Sequence, residues 1–475
     1  MIKITCNDTL FTYNLYHICK AFFPNEEMMQ NVDNEQEPFV KLEFSEGSCF
    51  SVASTKELEG MDRQERKMRV TKIIYDYLSE CTGRKLAWGM LTGVRPTKLA
   101  MQKIESGMNE KESEKFLSEQ YGVSREKAEL AVDIAMREKK LLSCLDYKDG
   151  FSLYVGIPFC PSICSYCSFS SSPIAQWKDK TDAYLEAVCR ELKAISEFTK
   201  GKKLNTIYIG GGTPTTLEAD QLEILLTVID EYFSYEYLQE YTVEAGRPDS
   251  ITKEKLEVMK KHPVTRISVN PQTMQQKTLD LVGRKHTVQD VKDIFKMARE
   301  LGFDNINMDL IAGLPEETAE DMKNTLRQIE ELAPDSLTVH SLAIKRAARM
   351  NREDGGVNLG EEISQMVKDS ADCAKRLELL PYYLYRQKNI AGNFENVGYA
   401  KVDKAGIYNI LIMEEKQTIY AVGAGSTTKI VLPEKICLDN KKETNLIRIE
   451  NVKDITEYIN RIDEMIARKG EKIWH

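Results

Sequence analysis

The chain of 475 residues is too long for a single hydrophobic core, and its length predicts about three domains. Its hydrophobic content of 42% and charged content of 29% are those of a globular protein, and no apolar run approaches the roughly 20 residues that cross a bilayer. The formal net charge of −9 gives no support to a nucleic acid or an anionic membrane surface as partner.

Cysteine usage points to a reducing compartment. The eleven cysteines are odd in number and irregular in spacing, which argues against a disulfide framework. The N-terminus lacks a charged segment followed by an apolar one, so we expect no secretion signal. These features predict a cytoplasmic protein.

Residues 1–150 predict an N-terminal accessory domain of the α+β class. Apolar stretches over residues 2–5 and 39–44 are typical of strands and lie on either side of a polar loop expected over residues 25–38. Helical periodicity then covers residues 66–82, 110–121 and 124–140.

From residue 151 onward, short apolar runs alternate with amphipathic helical patterns, which indicates βαβ units and a parallel sheet. The predicted strands cover residues 152–158, 206–211, 241–245, 266–270, 305–311 and 336–342. The helical patterns between them cover residues 182–198, 218–233, 252–261, 288–301 and 318–332. Six such units predict a partial (β/α)6 barrel of the TIM type over residues 151–343.

The remaining stretch, residues 344–475, predicts a C-terminal α+β cap. We expect a helix, a short strand, two strands of a hairpin and a final helix, over residues 361–379, 382–386, 407–413, 418–422 and 455–468 respectively. The predicted fold is therefore α/β, with an accessory domain before the partial barrel and a cap after it.

Three cysteines follow the first predicted barrel strand with the spacing Cys-x-x-x-Cys-x-x-Cys: Cys160, Cys164 and Cys167. Cysteine thiolate is the usual ligand of iron–sulfur clusters, and three such ligands can hold three irons of a 4Fe-4S cube. The fourth iron is then open to a substrate, which distinguishes a catalytic metal site from a structural one. The alternative is a structural zinc site, which would need a fourth ligand from elsewhere in the chain.

The other informative clusters fall at the carboxyl ends of predicted strands, where barrels of this type build active sites. The second strand ends in a triple glycine, residues 210–212, followed by Thr213. Glycines let a ligand approach the backbone closely and leave N–H and C=O groups to bind it. Further polar side chains follow on the next three strands: Glu244, Gln272, Arg284 and Asp309.

The cysteine spacing, with Tyr166 directly before the last cysteine, resembles the radical S-adenosylmethionine (SAM) superfamily. The pattern Asp-Leu-Ile-x-Gly-Leu-Pro that begins at Asp309 closely resembles one branch of it, the oxygen-independent coproporphyrinogen III oxidase family, which includes a heme chaperone branch. The resemblance covers residues 151–342 and, more loosely, residues 393–429. The N-terminal extension is most similar to the coproporphyrinogen dehydrogenase variant of this family.

The resemblance implies a 4Fe-4S cluster and SAM as cofactors, with the three cysteines as the metal ligands. The cofactor contacts that it implies are Tyr154, Tyr166, Gly211, Gly212, Thr213, Glu244, Gln272, Arg284 and Asp309. Tyr154, Arg284 and Asp309 are expected to take part in catalysis, and Arg284 to pair with the SAM carboxylate, a bidentate task that suits a guanidinium. An alternative for Arg284 and Asp309 is an ion pair at the barrel rim.

The implied reaction is the oxidative decarboxylation of coproporphyrinogen III to protoporphyrinogen IX, a step of heme biosynthesis. A 5′-deoxyadenosyl radical made from SAM takes a hydrogen from the β-carbon of a propionate, and loss of CO2 and one electron leaves a vinyl group. The resemblance also implies a reduced flavodoxin or ferredoxin as electron donor. A tetrapyrrole with four carboxylates needs basic partners, for which the sequence offers Arg247, Arg346, Arg349, Arg352 and Arg386.

The residues after the third cysteine depart from the family pattern. The oxidases usually carry Gly-Cys there, whereas this chain has Ser168-Phe169, which is closer to the Asp-Phe of the chaperone branch. Two alternatives therefore stay open beside the oxidase: a heme-binding chaperone that keeps the cluster, and a radical SAM methyltransferase or heme-opening enzyme that acts on a tetrapyrrole.

Overall fold

The computed structural model describes residues 1–24, 26–93, 95–342, 359–386, 394–437 and 443–473. The chain folds into two compact units. The first contains the described residues of Met1–Arg137, Asn358–Glu361 and Leu384–Glu395, and the second contains the rest. The division into three consecutive domains stays a prediction.

The first unit has a four-stranded sheet among its described residues. Its strands are β1 (Ile2–Cys6), β2 (Met28–Val32), β3 (Val40–Phe44) and β4 (Cys49–Val52), in the order β2-β1-β3-β4. Strand β1 pairs in parallel with β2 and antiparallel with β3. The expected loop over residues 25–38 is wrong in part, because β2 lies inside it; four of the five β2 residues are exposed, so no apolar alternation marked this edge strand.

The helices of the N-terminal region are α1 (Thr9–Phe22), α2 (Lys56–Gly60), α3 (Arg63–Thr82), α4 (Thr97–Glu105), α5 (Glu110–Tyr121) and α6 (Arg125–Leu142). The predicted helices correspond to α3, α5 and α6. Helix α3 begins at a capping box, in which Asp62 accepts from the backbone of Glu65 and the Glu65 side chain binds back, and it ends at Gly83 in the left-handed conformation.

The strands from residue 150 onward are β5 (Gly150–Ile157), β6 (Phe159–Cys160), β7 (Ser172–Pro173), β8 (Lys203–Gly211), β9 (Glu240–Gly246), β10 (Arg266–Val269), β11 (Ile306–Ala312), β12 (Ser336–Ser341), β13 (Leu380–Tyr385), β14 (Asn396–Ala400), β15 (Thr418–Val422), β16 (Thr427–Cys437) and β17 (Glu443–Glu450). Eleven of these form one sheet in the order β13-β14-β12-β11-β10-β9-β8-β5-β15-β16-β17. Within the run β12-β11-β10-β9-β8-β5-β15, every pairing between described residues is parallel. Strand β14 pairs antiparallel with β12, and β16 pairs antiparallel with β15.

Helices connect the parallel strands and cover the sheet. They are α7 (Thr181–Phe198), α8 (Ala219–Tyr232), α9 (Lys253–Lys261), α10 (Gln276–Leu281), α11 (Val288–Glu300) and α12 (Ala319–Leu332). The predicted α/β fold is thereby confirmed, and each of the six predicted barrel strands matches an observed one to within three residues at either end. The near-continuous burial of these strands explains why their apolar runs were readable in the sequence.

The C-terminal part contains helices α13 (Leu359–Arg376), α14 (Ile407–Glu414), α15 (Ile455–Asn460) and α16 (Ile462–Ile473). The expected hairpin is wrong: residues 407–413 belong to helix α14, which buries Tyr408, Ile410 and Leu411. Residues 418–422 do form a strand, β15, but it pairs in parallel with β5 and so extends the barrel sheet. No helix within the described ranges is long and apolar enough to cross a bilayer.

Candidate active site

The cysteine loop leaves the sheet where β5 ends. Cys164 is buried, Cys160 and Cys167 are partly buried, and all three are free thiols. The Cys167 N–H donates to the Cys164 carbonyl over 3.1 Å, and Thr213 Oγ1 donates to Cys160 Sγ over 3.6 Å. Burial raises the pKa of the Cys160 and Cys167 thiols. Thiolates in this loop therefore need added positive charge, which a bound metal group supplies.

The spacing of the thiols distinguishes the two metal sites that the sequence left open. In the part of the chain that the structure describes, no three His, Cys, Asp or Glu side chains converge on a point that could hold one metal ion. A single zinc ion draws all its ligands to about 2.3 Å from one centre, whereas each thiolate of a 4Fe-4S cube binds its own iron. Three free thiols on one loop therefore fit a cluster better than a zinc ion.

Arg247, at the end of β9, is buried and faces the cysteine loop. Its Nη1 donates to the carbonyl oxygen and to Oγ of Ser162, both over 2.9 Å, and to Cys164 Sγ over 3.7 Å. Its Nε and Nη2 bind the two oxygens of Asp249 over 2.9 and 2.6 Å. The expected contact between Arg247 and a substrate carboxylate is not what the structure shows, because this guanidinium is engaged by the loop and by Asp249.

Arg284 lies on the other side of Cys164. Its Nη1 donates to Tyr166 Oη over 3.2 Å and to Cys164 Sγ over 4.0 Å, and its Nη2 donates to the Asn270 carbonyl over 2.5 Å. Its Nε is buried and has no hydrogen-bond partner among the residues that the structure describes. A buried guanidinium N–H without an acceptor indicates that an acidic group of a ligand binds here.

Asp309 lies inside β11 and is held by its neighbours in the sheet. It accepts from Asn307 Nδ2 over 2.7 Å, and its Oδ2 lies 3.9 Å from His340 Nε2. Burial alone would raise the pKa of Asp309, but the hydrogen bonds from His340 and Asn307 outweigh it and lower the pKa. The alternative of a rim ion pair with Arg284 finds no support among the described residues.

Gln272 connects the loop after β10 to β11. Its N–H donates to the Asp309 carbonyl and its own carbonyl accepts from Ile311 N, both over 2.9 Å. Its φ of 68° lies in the left-handed region that favours glycine. Within the described part of the chain, the buried Oε1 of Gln272 and Oδ1 of Asn270 have no hydrogen-bond partner. Together with Arg284 Nε, these orphaned atoms mark a place where a polar ligand would complete the hydrogen bonds.

The triple glycine packs against the segment that carries Cys160. The Gly212 and Thr213 N–H groups donate to the carbonyls of Ile157 and Phe159 over 2.7 Å. The expectation that these N–H groups are left for a ligand is therefore wrong. A Cβ on Gly212 would lie 2.5 Å from the Phe159 oxygen, so glycine is required for close packing against the cysteine loop.

Three tyrosines stack across the barrel. The ring centroids of Tyr154, Tyr208 and Tyr408 lie 4.4 to 6.3 Å apart with nearly parallel planes. Tyr208 Oη donates to Glu244 Oε1, and burial raises the pKa of Glu244 to about 7. Tyr154 Oη lies 3.3 Å from where a Cβ on Gly211 would be, which places it at the triple glycine.

Several residues of this site were not singled out in the sequence. Tyr208 was open to prediction, because it pairs in register with Tyr154 on the neighbouring strand and so shares its face. Tyr408 comes from helix α14, and Asn270 and Asp249 acquire their partners only in the fold. No local pattern marks these three.

The site can now be compared with known proteins. The model of the radical SAM superfamily matches residues 154–329. The chain is 39% identical over 409 residues to the oxygen-independent coproporphyrinogen-III oxidase-like protein HemZ of Bacillus subtilis, a match that spans 85% of this chain and 80% of that protein. The chain therefore belongs to the oxygen-independent coproporphyrinogen III oxidase family of the radical SAM superfamily. The radical SAM family uses a 4Fe-4S cluster and SAM.

Other relatives match mainly over a shorter span. The heme chaperone HemW of Lactococcus lactis is 39% identical over 207 residues, which is 43% of this chain and 53% of the chaperone. The oxygen-independent coproporphyrinogen III oxidase of Escherichia coli is 32% identical over 192 residues, which is 40% of this chain and 42% of the oxidase. The solved structure of the Escherichia coli oxidase HemN covers 67% of this chain and 70% of its own, with a TM-score of 0.54 and 22% identity, which shows a common fold.

Proposed function

We propose that this protein is an oxygen-independent coproporphyrinogen III oxidase, which converts propionate side chains of the tetrapyrrole to vinyl groups and so forms protoporphyrinogen IX. The observation that carries the proposal is the 39% identity to the oxidase-like HemZ over 85% of the chain. That match is about twice as long as the matches to the chaperones and to the Escherichia coli oxidase.

We assign Cys160, Cys164 and Cys167 as the ligands of the 4Fe-4S cluster. With SAM bound, the cluster supplies a radical that can take hydrogen from an unactivated carbon. The three free thiols lie on one loop, and among the described residues no group of His, Cys, Asp or Glu side chains is arranged to hold a single metal ion. Oxygen must be kept from such a group, and the burial of Cys164 contributes to this.

The orphaned polar atoms support a SAM site beside that loop. Arg284 would orient the SAM carboxylate through its Nε, while Gln272 would accept from a donor of the nucleoside or of the amino group. Asp309, whose pKa is lowered, offers a fixed negative charge, and Glu244 can hold or release a proton near neutral pH. We assign the remaining contacts with SAM to Tyr154, Tyr166 and Gly211. The N–H groups of Gly212 and Thr213 instead hold the cysteine segment in place.

The arginines expected to bind the tetrapyrrole carboxylates form two groups. Arg247 and Arg386 bind other residues of this chain, whereas the other three lie outside the described residues. Arg386 belongs to the first unit, where it is buried, donates to the Leu91 carbonyl over 2.5 Å and lies over the Trp88 ring. Arg346, Arg349 and Arg352 lie outside the described residues. We propose these last three as the substrate contacts, on their charge and spacing in the sequence.

The test is anaerobic turnover. Reconstituted protein is incubated with SAM, a low-potential reductant and coproporphyrinogen III, and the tetrapyrroles are analysed by mass spectrometry. The proposal expects a product lighter by two equivalents of formic acid and the formation of 5′-deoxyadenosine. Methylated or linear tetrapyrrole would instead indicate the methyltransferase or heme-opening alternative, and recovery of unchanged substrate would reject the oxidase.

A heme chaperone is the second candidate, because two observations favour it. The barrel region is 39% identical to the chaperone of Lactococcus lactis, and the residue after Ser168 is the 75% exposed Phe169. The oxidases usually carry a cysteine at that position. Titration of the protein with heme distinguishes the two functions: stoichiometric, tight heme binding without a vinyl product supports the chaperone.

A further inference from the structure

Arg247 follows β9, and its guanidinium contacts the cysteine loop. We propose that Arg247 is a positioning residue that raises the reduction potential of the cluster through the Cys164 sulfur. The inference rests on the proposed ligation of the cluster by Cys164 and is independent of the tetrapyrrole reaction.

The guanidinium of Arg247 points at the cysteine loop. Arg247 is 4% exposed, and its Nη1 donates both to the Cys164 sulfur and to the two oxygens of Ser162. Ser162 Oγ also donates to the Gly283 carbonyl over 3.0 Å. The residue midway between the first two cysteines is therefore held from two sides, with Arg247 on one of them.

The Asp249 carboxylate fixes the orientation of this guanidinium. Asp249 binds Nε and Nη2 through both its oxygens, and the two side chains are 5% and 18% exposed. Both residues belong to one tight turn, in which Ser250 N–H donates to the Arg247 carbonyl over 3.0 Å. A bidentate pair within a turn fixes the plane of the guanidinium, so its third nitrogen is aimed at the loop by local geometry.

Asp249 in turn has a second neighbour. His286 is buried, and its Nδ1 lies 3.8 Å from Asp249 Oδ1. The charged groups around Cys164 are thus two arginines, from the turn after β9 and from the loop after α10, with the Asp249 carboxylate behind the first of them. The His286 ring lies behind that carboxylate. The net charge that faces the sulfur is positive.

The contact of Arg247 with the Cys164 sulfur acts on the cluster. An N–H donor on a thiolate sulfur draws electron density away from the iron and stabilises the more negative, reduced state more than the oxidised state. The interaction is strong where water is excluded, and Cys164 is the most buried of the three thiols. Arg247 therefore makes the cluster easier to reduce.

The test compares the variant Arg247→Met with a control variant in which another arginine of the same unit is replaced. Arg299→Met removes a guanidinium that binds Asp335 Oδ2 over 2.5 Å at the start of β12, the opposite end of the strand from the site. Reconstituted proteins without SAM are titrated with a graded reductant, and the reduced cluster is followed by electron paramagnetic resonance. Iron and sulfide per chain are measured on the same samples.

We expect the ratio of reduced to oxidised cluster in R247M to be about tenfold lower at a given potential, a shift of the midpoint potential by ~59 mV to more negative values for a one-electron couple. R299M is expected to keep the wild-type potential. R247K, which keeps the charge but not the two-pronged pair, is expected to lie between wild type and R247M.

An unchanged potential in R247M with full cluster content would overturn the inference. If R247M holds no cluster, R247K decides, and a wild-type potential in R247K would then overturn it. The proposed ligation would instead be rejected if the reconstituted wild-type protein binds no iron and sulfide. It would also be rejected if C164A binds as much iron and sulfide as the wild-type protein. The two failures are thereby distinguishable.

Discussion

At the scale of single residues, Glu244 is the titratable group of the site whose charge changes near neutral pH. Burial is the largest cause of its raised pKa, with a smaller contribution from the nearby charge of Asp309, whereas the hydrogen bond from Tyr208 works in the opposite direction. The folded-state pKa of about 7 lies above the ordinary value of 4.5, so the folded state binds the proton more tightly than the unfolded state does.

The stability that Glu244 contributes is therefore fully present below about pH 4.5 and is lost as the pH rises through about 7. We predict that Glu244→Gln, which cannot ionise, stabilises the cofactor-free protein by about 2 kcal/mol more at pH 8 than at pH 5. Urea unfolding at the two pH values measures this difference. Glu231→Gln, on the exposed face of α8, is the control and should show no such difference; a flat profile for E244Q would contradict the raised pKa.

The second prediction at the scale of single residues concerns the close packing of Gly212 against the cysteine loop. Its Cβ would clash with the Phe159 oxygen at 2.5 Å, so Gly212→Ala must displace the start of the cysteine loop. We predict a loss of more than half of the iron and sulfide bound per chain, with about 1–3 kcal/mol lost in stability. Gly60→Ala is the control, because a Cβ there meets nothing within 4 Å. Full cluster content in G212A would show that the loop accommodates the methyl group.

The sequence was informative for residues whose role depends on local spacing and uninformative for residues whose role depends on distant partners. Cys160, Cys164 and Cys167 are proposed as ligands because of their spacing on one loop. Arg247 was taken for a substrate contact because its approach to that loop follows from the pairing of β9 with its neighbours, which no local pattern records. Tyr408 was missed for the same reason.

At the scale of elements, burial decided which predictions were confirmed. The six barrel strands are buried on both faces and were readable as apolar runs. The run at residues 407–413 is just as apolar, yet it forms helix α14, because a short apolar run does not by itself distinguish a buried strand from a buried helix. Strand β2 was not predicted for the opposite reason: it is an exposed edge strand, so its sequence carries no apolar run.

The C-terminal helix α16 is held to the barrel by a buried ion pair. Lys469 on α16 pairs with Glu191 on α7 and donates to the Ala421 carbonyl on β15 over 2.7 Å. Glu191 also accepts from Gly423 N over 2.9 Å and from Tyr458 Oη over 2.5 Å. One buried ion pair thus holds two helices and the strand next to β5 together.

We predict that Lys469→Met costs about 3–5 kcal/mol of unfolding free energy, because it leaves the buried Glu191 charge without its countercharge. Urea unfolding measures the loss. The double variant E191Q/K469M should recover part of it, since it removes both charges. A double variant that is less stable than K469M would show that hydrogen bonds to the carboxylate, rather than the ion pair, fasten the helix.

At the scale of the whole molecule, the chain builds each compact unit from separated stretches of sequence. Within the first unit, Glu395 binds Lys127 Nζ over 2.6 Å and Trp88 Nε1 over 2.7 Å, and its side chain is 1% exposed. Glu395 is therefore held to the N-terminal residues of the same unit by a buried ion pair. The sequence could not have predicted this, since the partners lie more than 250 residues apart.

We predict that Glu395→Gln lowers the unfolding free energy of the first unit by about 3 kcal/mol, because Lys127 loses its buried countercharge. Iron and sulfide per chain should stay at the wild-type level, since the cysteines belong to the second unit. The fluorescence of Trp88 during urea unfolding, measured with Trp177 and Trp474 replaced by Phe, reports on the first unit, and chemical analysis reports on the cluster. Parallel loss of both would contradict this prediction.

The central claim is that three cysteines hold a 4Fe-4S cluster whose remaining iron binds SAM. Electron paramagnetic resonance of the reduced, reconstituted protein tests it most directly, with and without added SAM. The account predicts a 4Fe-4S signal that depends on Cys160, Cys164 and Cys167 and whose g-values change when SAM is added. A signal that SAM leaves unchanged, or a protein that carries zinc in place of iron, would contradict it.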